Sequence, residues 1–197
     1  IRVGEQECIG DLLAAFGGPI AAPSANPSGR ISPTRADHVL DGLSGRIAAV
    51  IDGGPCPVGL ESTIVGFDPP RLLRPGGLPV EAIEECLGGT LATDAPGDRP
   101  NAPGQLASHY APAAGLRLNA RRPEPGEIWI GFGQAEAPID LSPTGDLVEA
   151  ASNLFHAMRE ADRLAGPGGR IAVAPVPDRG LGRAINDRLR RAAAPRP

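Results

Sequence analysis

Three groups of residues have types and spacing that could do chemistry. The first lies between Ala21 and Thr34, where Pro23, Pro27 and Pro33 alternate with Ser24, Asn26, Ser28, Arg30 and Ser32. Proline fixes φ and withholds its N–H, so the backbone here is stiff. The short hydroxyls and the amide offer donors and acceptors with little rotamer entropy to lose. Such a loop suits a small anionic or nucleotide-like ligand; the same residues also suit a plain turn from strand to helix. The second group is Ser62 and Thr63, which open the apolar run Ile64-Val65, with Arg74 in the following Arg71–Gly77 segment. Ligands of α/β sheets sit at strand ends, which makes these residues candidates to join the Ser24 loop. Spacing alone favours a simpler reading, a Ser-Thr pair on a strand and an exposed arginine. The third is His109-Tyr110, which includes the chain's single tyrosine and stands in a connector without apolar period. That ring could cover a ligand; packing back on a domain is the simpler role.

The composition restricts what these groups can serve. The chain has 197 residues, 41% hydrophobic and 21% charged, which is the balance of a globular protein with room for one large domain or two small ones. Aromatics are 3% while Gly (27) and Pro (23) are plentiful, so the core must be built from Ala, Val, Leu and Ile between many punctuated loops. All 19 basic residues are arginine, which excludes a lysine Schiff base or a phosphate-loop lysine within this sequence. A phosphate here must be met by arginine or by backbone N–H. The net charge of -4 argues against nonspecific coating of nucleic acid. Cys8, Cys56 and Cys86 are widely spaced with no Cys-x-x-Cys, so no zinc pattern is present and a reduced, cytosolic setting is expected. No apolar run has the roughly 20 residues of a membrane span, and no signal segment opens the sequence. Ile1-Arg2-Val3 reads as the tail of a strand, which places the first residue in the middle of a domain.

These groups must be positioned by regular elements. Cys8, Ile9, Leu12, Leu13 and Phe16 have helical spacing, ending at Gly17-Gly18, and predict a helix over 5–16 packed on a sheet. Pro19 to Ala22 predicts a short buried strand, and Ser32-Pro33 an N-cap for a helix running to about Leu43 with His38 toward solvent. Ile47 to Asp52 predicts a buried strand, 64–65 another, and 79–87 a closing helix. Gly88 to Gln105 is the linker. Beyond it, strands over 127–132 and 170–176 alternate with helices over 146–162 and 181–193, which predicts a parallel sheet. Arg183, Arg188, Arg190 and Arg191 are assigned to the polar side of the last helix. The expected domains are 1–88, a linker over 89–114, and a small α/β domain over 115–197.

Pro23-Ser24-Ala25-Asn26-Pro27-Ser28-Gly29, Asp52-Gly53-Gly54-Pro55, Glu61-Ser62-Thr63-Ile64, Leu73-Arg74-Pro75-Gly76 and Ser108-His109-Tyr110-Ala111-Pro112, in this order, resemble the threonylcarbamoyl-AMP synthase family in its long form. Leu141–Leu147 and Gly182–Arg188 resemble that form's extra C-terminal domain. Each motif is weak singly; order and spacing make the set specific. The resemblance implies an α/β fold: the C-terminal part of a YrdC-like twisted open mixed sheet with helices, linked to a small Rossmann-like domain. It implies a nucleotidyltransferase that joins L-threonine, bicarbonate and ATP, with Mg2+, into threonylcarbamoyl-AMP and pyrophosphate, for a tRNA-modifying machinery downstream. No covalent intermediate is obligatory, so no catalytic nucleophile and no resident metal are expected. Carried over, Ser24, Asn26 and Ser32 bind ATP, Arg74 faces its phosphates, Tyr110 closes over the nucleotide, and Ala22 and Ser62 border threonine.

The family's Lys-x-Arg motif and a Ser/Thr-rich segment are not in this lysine-free sequence. The resemblance therefore implies that the N-terminal half of the catalytic domain is missing and that these residues alone are inactive and aggregation-prone. Two other readings stand beside it: an RNA-binding module using Arg117, Arg121, Arg122 and the arginines of 183–191, and a related YrdC-domain enzyme acting on carbamoyl phosphate.

Overall fold

The computed structural model describes residues 7–93, 108–134 and 136–195. It divides into two compact units, one formed by residues up to Pro27 together with Ser32–Cys56, the other by Ser28–Ile31 together with the chain from Pro57 onward.

In the first unit, α1 (Glu7–Phe16) stops where Gly17 adopts φ +73° and donates its N–H to Leu13 O at 3.0 Å. The helix is where its periodicity puts it, but no residue of α1 is buried and Phe16 is 63% exposed, so the expected packing on a sheet is not found among the described residues. The strands expected over 19–22 and 47–52 are absent as well, and Ile20, Ile47 and Ile51 are exposed. A strand exists only where a neighbour supplies ladder partners. None of the described residues pairs with either run. Asp52 instead caps a turn, its Oδ1 accepting from Gly54 N at 2.9 Å.

The second helix, α2 (Ala36–Leu43), begins after Arg35, which makes no side-chain cap. Ser32 is not its N-cap. His38, expected toward solvent, is buried: its Nδ1 accepts from Thr34 N at 3.2 Å, and Thr34 O in turn accepts from Cys56 N at 2.9 Å. The side chain that looked polar by position closes the loop preceding its own helix.

The second unit holds both sheets. β1 (Ile64–Phe67) and β2 (Pro70–Arg74) form an antiparallel hairpin; α3 (Val80–Leu87) then crosses over so that β3 (Ala92–Thr93) lies parallel to β2. α3 ends with Gly88 in the left-handed region, as a helix C-terminus favours. The expected linker falls largely on 94–107, outside the described residues.

Beyond it, β4 (Gly115–Arg117), β5 (Glu127–Gly131), β6 (Ile139–Asp140) and β7 (Arg170–Val173) make a four-stranded parallel sheet in the order β4-β7-β5-β6. α4 (Leu147–Ala165) carries the chain from β6 to β7, and α5 (Leu181–Ala193) follows. The alternation of strand side chains sorts the two faces. Ile130, Ile171 and Val173 meet Leu154, Phe155 and Met158 of α4 and Ile185 and Leu189 of α5, while Trp129 and Ala172 pack on the opposite face with Ala120 and Ala174. The start of α4 is set by Asp146, whose Oδ1 accepts from Glu149 N at 2.7 Å; buried Ser142 Oγ bonds Glu149 and accepts from Asp146 N at 2.9 Å. Fold class agrees with expectation: mixed α/β, with one mixed sheet and one wholly parallel sheet.

Candidate functional site

The most highly constrained polar element of the second unit is the turn Glu61-Ser62-Thr63, which leads into β1. Arg74, the last residue of β2 and the ladder partner of Ile64, turns its guanidinium back on this turn. Its Nε and Nη2 both donate to Ser62 O, at 3.1 and 2.7 Å, and the residue is 4% exposed. The simpler sequence reading of an exposed arginine is thereby corrected. The hairpin places Arg74 opposite the turn it clasps, and a doubly bonded carbonyl offsets the cost of burying the charge.

Two further contacts hold the same turn. Thr63 Oγ1 donates to Leu78 O at 2.6 Å and accepts from Leu78 N at 3.2 Å, and Gly77 N donates to Glu61 O at 2.9 Å. Gly76 lies so close that a Cβ there would collide with the backbone of Glu61, Ser62 and Thr63. Only glycine fits. The Ser62 side chain itself remains exposed, on a turn whose backbone cannot shift.

Tyr110 stands in an unusual place. It is 1% exposed and has φ +60°, a conformation uncommon for a bulky residue. Its ring packs 5.4 Å from that of Phe155 and 4.0 Å edge-on from that of His109, with the Arg188 guanidinium carbon 5.3 Å from its centroid. The ring is therefore part of the core here, as the simpler reading of a packed aromatic expects. Burial pushes the phenol up, opposed by the charge of Arg188. Burial also lowers the pKa of His109, opposed by Glu61 and helped by the neighbouring arginines.

The end of the polar loop joins this region. Ala111 N donates to Gly29 O at 2.9 Å, Arg30 and Ala111 form a parallel bridge, and Arg159 Nη2 donates to Ile31 O at 2.6 Å while Ile31 enters the core. The structure thus brings the tail of the first motif against the His-Tyr motif. The remaining candidates belong to the first unit. Ala22 and Ser24 are exposed on an irregular segment, Asn26 Nδ2 donates to Pro27 O at 3.0 Å, and Ser32 is buried at 8% exposure.

Sequence reasoning missed Arg188, which had been placed on a polar helix face and is 0% exposed. The signal was present: 181, 184, 185, 188 and 192 share one helical face, and every other member of that set is apolar. Of the other arginines of the RNA reading, Arg121, Arg122, Arg183 and Arg190 are exposed, and three of the set pair with carboxylates. Arg117 bonds Glu127, Arg183 lies 3.3 Å from Glu81, and Arg191 bonds Asp187. A cavity of about 310 Å3 lies beyond the ends of β4 and β7, lined in part by Asn119, Asp178, Asn186 and Arg190; none of the residues carried over to ATP or threonine lines it.

Among known proteins, the family model of the threonylcarbamoyl-AMP synthase C-terminal domain matches residues 78–194, and one described as telomere recombination matches residues 1–76. The threonylcarbamoyl-AMP synthase of Pyrococcus abyssi is 39% identical over 98% of this chain and 63% of its own length; that of Bacillus subtilis is 36% identical over 100% and 63%. The chain thus spans just under two thirds of these relatives. The solved structure of P. abyssi Sua5 complexed with L-threonine superposes with a TM-score of 0.83 at 34% identity, covering 98% of this chain and 63% of that one. A second form of that protein, with a histidine and a tyrosine replaced by alanine, gives 0.81 at 33% identity. Motif order, fold and these similarities agree: the chain belongs to the threonylcarbamoyl-AMP synthase family.

Proposed function

We propose that this chain takes part in the synthesis of threonylcarbamoyl-AMP from L-threonine, bicarbonate and ATP, with pyrophosphate released. The observation that carries the reading is the Glu61–Thr63 turn, fixed from behind by Arg74 and Gly76 with the Ser62 side chain left exposed. Its support is the similarity to P. abyssi Sua5, which was solved with L-threonine bound. On this reading the threonine amine attacks the carbon of bicarbonate, water leaves, and a carbamate oxygen attacks the α-phosphorus of ATP to displace pyrophosphate. Neither step needs a protein nucleophile. The protein's task is to orient the reactants and to offset charge, which fixed dipoles and arginines accomplish.

Ser62 and the Ala22 backbone border threonine, and Ser24, Asn26, Ser32, Arg74 and Tyr110 serve the nucleotide. In this role the Tyr110 ring leaves the packing seen here to cover ATP. Among the described residues no group of three or more His, Cys, Asp or Glu could hold a metal, so Mg2+ would arrive with the triphosphate it neutralises. No helix among the described residues is long and apolar enough to cross a membrane, and a cytosolic setting beside tRNA-modifying partners follows from the proposed product.

Calorimetric titration with L-threonine and with Mg·ATP tests the reading. Saturable threonine binding that weakens in Ser62→Ala supports it, and absence of heat with both ligands overturns it. Labelled bicarbonate then measures whether the adenylate is formed by these residues alone.

A further inference from the structure

The last helix of the chain reaches the candidate substrate turn through one side chain. Arg188 of α5 is wholly buried, and its Nε donates to Glu61 Oε2 at 2.9 Å across 127 positions of sequence. Its Nη1 donates to Pro75 O at 2.9 Å and to Asp187 Oδ2 at 2.7 Å, and its guanidinium carbon lies 5.3 Å from the Tyr110 centroid. Glu61 directly precedes Ser62, Pro75 directly follows Arg74, and Tyr110 is itself a candidate. One guanidinium therefore touches all three candidate elements of the second unit.

Burial by itself pulls the pKa of such a group down. The carboxylates of Glu61 and Asp187, together with the facing Tyr110, outweigh it, and the pKa of Arg188 lies above its ordinary value. The remaining nitrogen, Nη2, is buried with no hydrogen-bond partner among the described residues. A purely architectural anchor would be expected to satisfy every donor it buries. Nor is an arginine needed merely to fill the space, since well-packed apolar side chains replace buried ion pairs at little cost.

We propose that Arg188 is a positioning residue: through it, helix α5 sets the geometry of the Glu61–Thr63 turn and of Tyr110, and so sets the affinity for L-threonine. The inference rests on the reading that this turn borders threonine, and it gives the C-terminal α/β layer a role in the reaction beyond mass.

Threonine binding by calorimetry, with melting temperature measured in parallel, tests it on the full chain. Arg188→Met is expected to weaken L-threonine binding ~10-fold or more, the scale of hydrogen bonds to a charged group. Arg188→Lys falls between, since an ammonium keeps the charge but cannot fork between Glu61 and Pro75. Arg183→Met, on the same helix but paired with Glu81 at the surface, keeps wild-type affinity. Leu154→Ala lowers the melting temperature through the core and also keeps wild-type affinity below its transition, which separates positioning from stability. Wild-type threonine affinity in Arg188→Met, whatever its melting temperature, overturns the proposal. Should that variant not fold, Glu61→Gln decides by the same criterion. A wild-type chain that binds no threonine overturns the functional reading itself, whereas wild-type binding with unaffected variants overturns the positioning role alone.

Discussion

The two units bury different things. Among the described residues of 7–27 and 32–56, the buried side chains are Ser32, Thr34 and His38, all polar, while Leu12, Phe16, Ile20, Leu40, Ile47 and Ile51 are exposed. The unit that begins at Pro57 does the reverse. Its core of Leu154, Phe155, Met158, Ile130, Ile171 and Ile185 is closed to solvent, and Arg188 sits among those side chains with its charges matched. The contrast shows that an apolar period specifies a helix without specifying what the helix packs against. Burial needs a second surface, and a strand needs a second strand.

The sharpest way to break this contrast is to remove side chains from the closed core. Arg188→Met removes the buried guanidinium that Glu61 meets and one of the two arginines on Asp187, and loss of one member of a buried ion pair costs about 3–5 kcal/mol. Leu154→Ala, at a wholly buried position, is expected to cost about 2–5 kcal/mol, read from denaturant midpoints. A loss below about 1 kcal/mol at Leu154 would mean that the core is not packed as described.

A smaller effect tests how α4 begins. Asp146→Ala removes the side chain that accepts from Glu149 N and is expected to cost about 1 kcal/mol, with Asp146→Asn nearly neutral. Equal losses in the two variants would refute capping as the reason.

The same contrast explains what was readable in the sequence. α4, β5, β7 and α5 could be placed within a few residues because periodicity, caps and tertiary partners all agree there. The strands read at 19–22 and 47–52 failed because an apolar run carries no information about whether a ladder partner is present. His38 was misread since two residues of helix put it opposite Leu40, while the loop that turns back over it is a tertiary fact. Arg188 was misread for a different reason: residue type was allowed to outweigh position, although its neighbours on the helix face are apolar. Among the site residues, the Ser62 and Arg74 motifs were legible as types. That Arg74 clasps the Ser62 carbonyl, and that Gly76 is required beneath it, depends on hairpin register, which types alone do not set.

In the first unit, by contrast, truncation should be nearly silent. Leu12→Ser on α1 is expected to change stability by no more than about 0.5 kcal/mol, because the side chain is already 38% exposed. A loss above 1 kcal/mol, measured by denaturant midpoint, would show that this face is covered in solution, and the contrast between the units would fall.

The finest test uses protons instead of atoms. The bond from Arg117 holds Glu127 down to about 2 from its ordinary 4.5, against the opposing effect of burial; Nε and Nη2 of Arg117 reach its two oxygens at 2.9 and 2.6 Å. Between those values the unfolded chain binds a proton that the folded chain does not, so stability rises with pH across the window and is lost as pH falls through the folded value. His109 acts higher. Burial lowers its pKa below 6.5, so the unfolded state again binds the extra proton, and stability present above 6.5 declines on acidification. Melting temperature followed from pH 7.5 to 2.5 should therefore fall in two stages. Arg117→Met should reduce the lower stage only, leaving the part that Glu81 and Glu160 contribute, and His109→Gln the upper only. If Arg117→Met runs parallel to wild type below pH 4.5, the Arg117 bond is not what holds Glu127 ionised, and the account of how β4 and β5 are fastened at this edge fails with it.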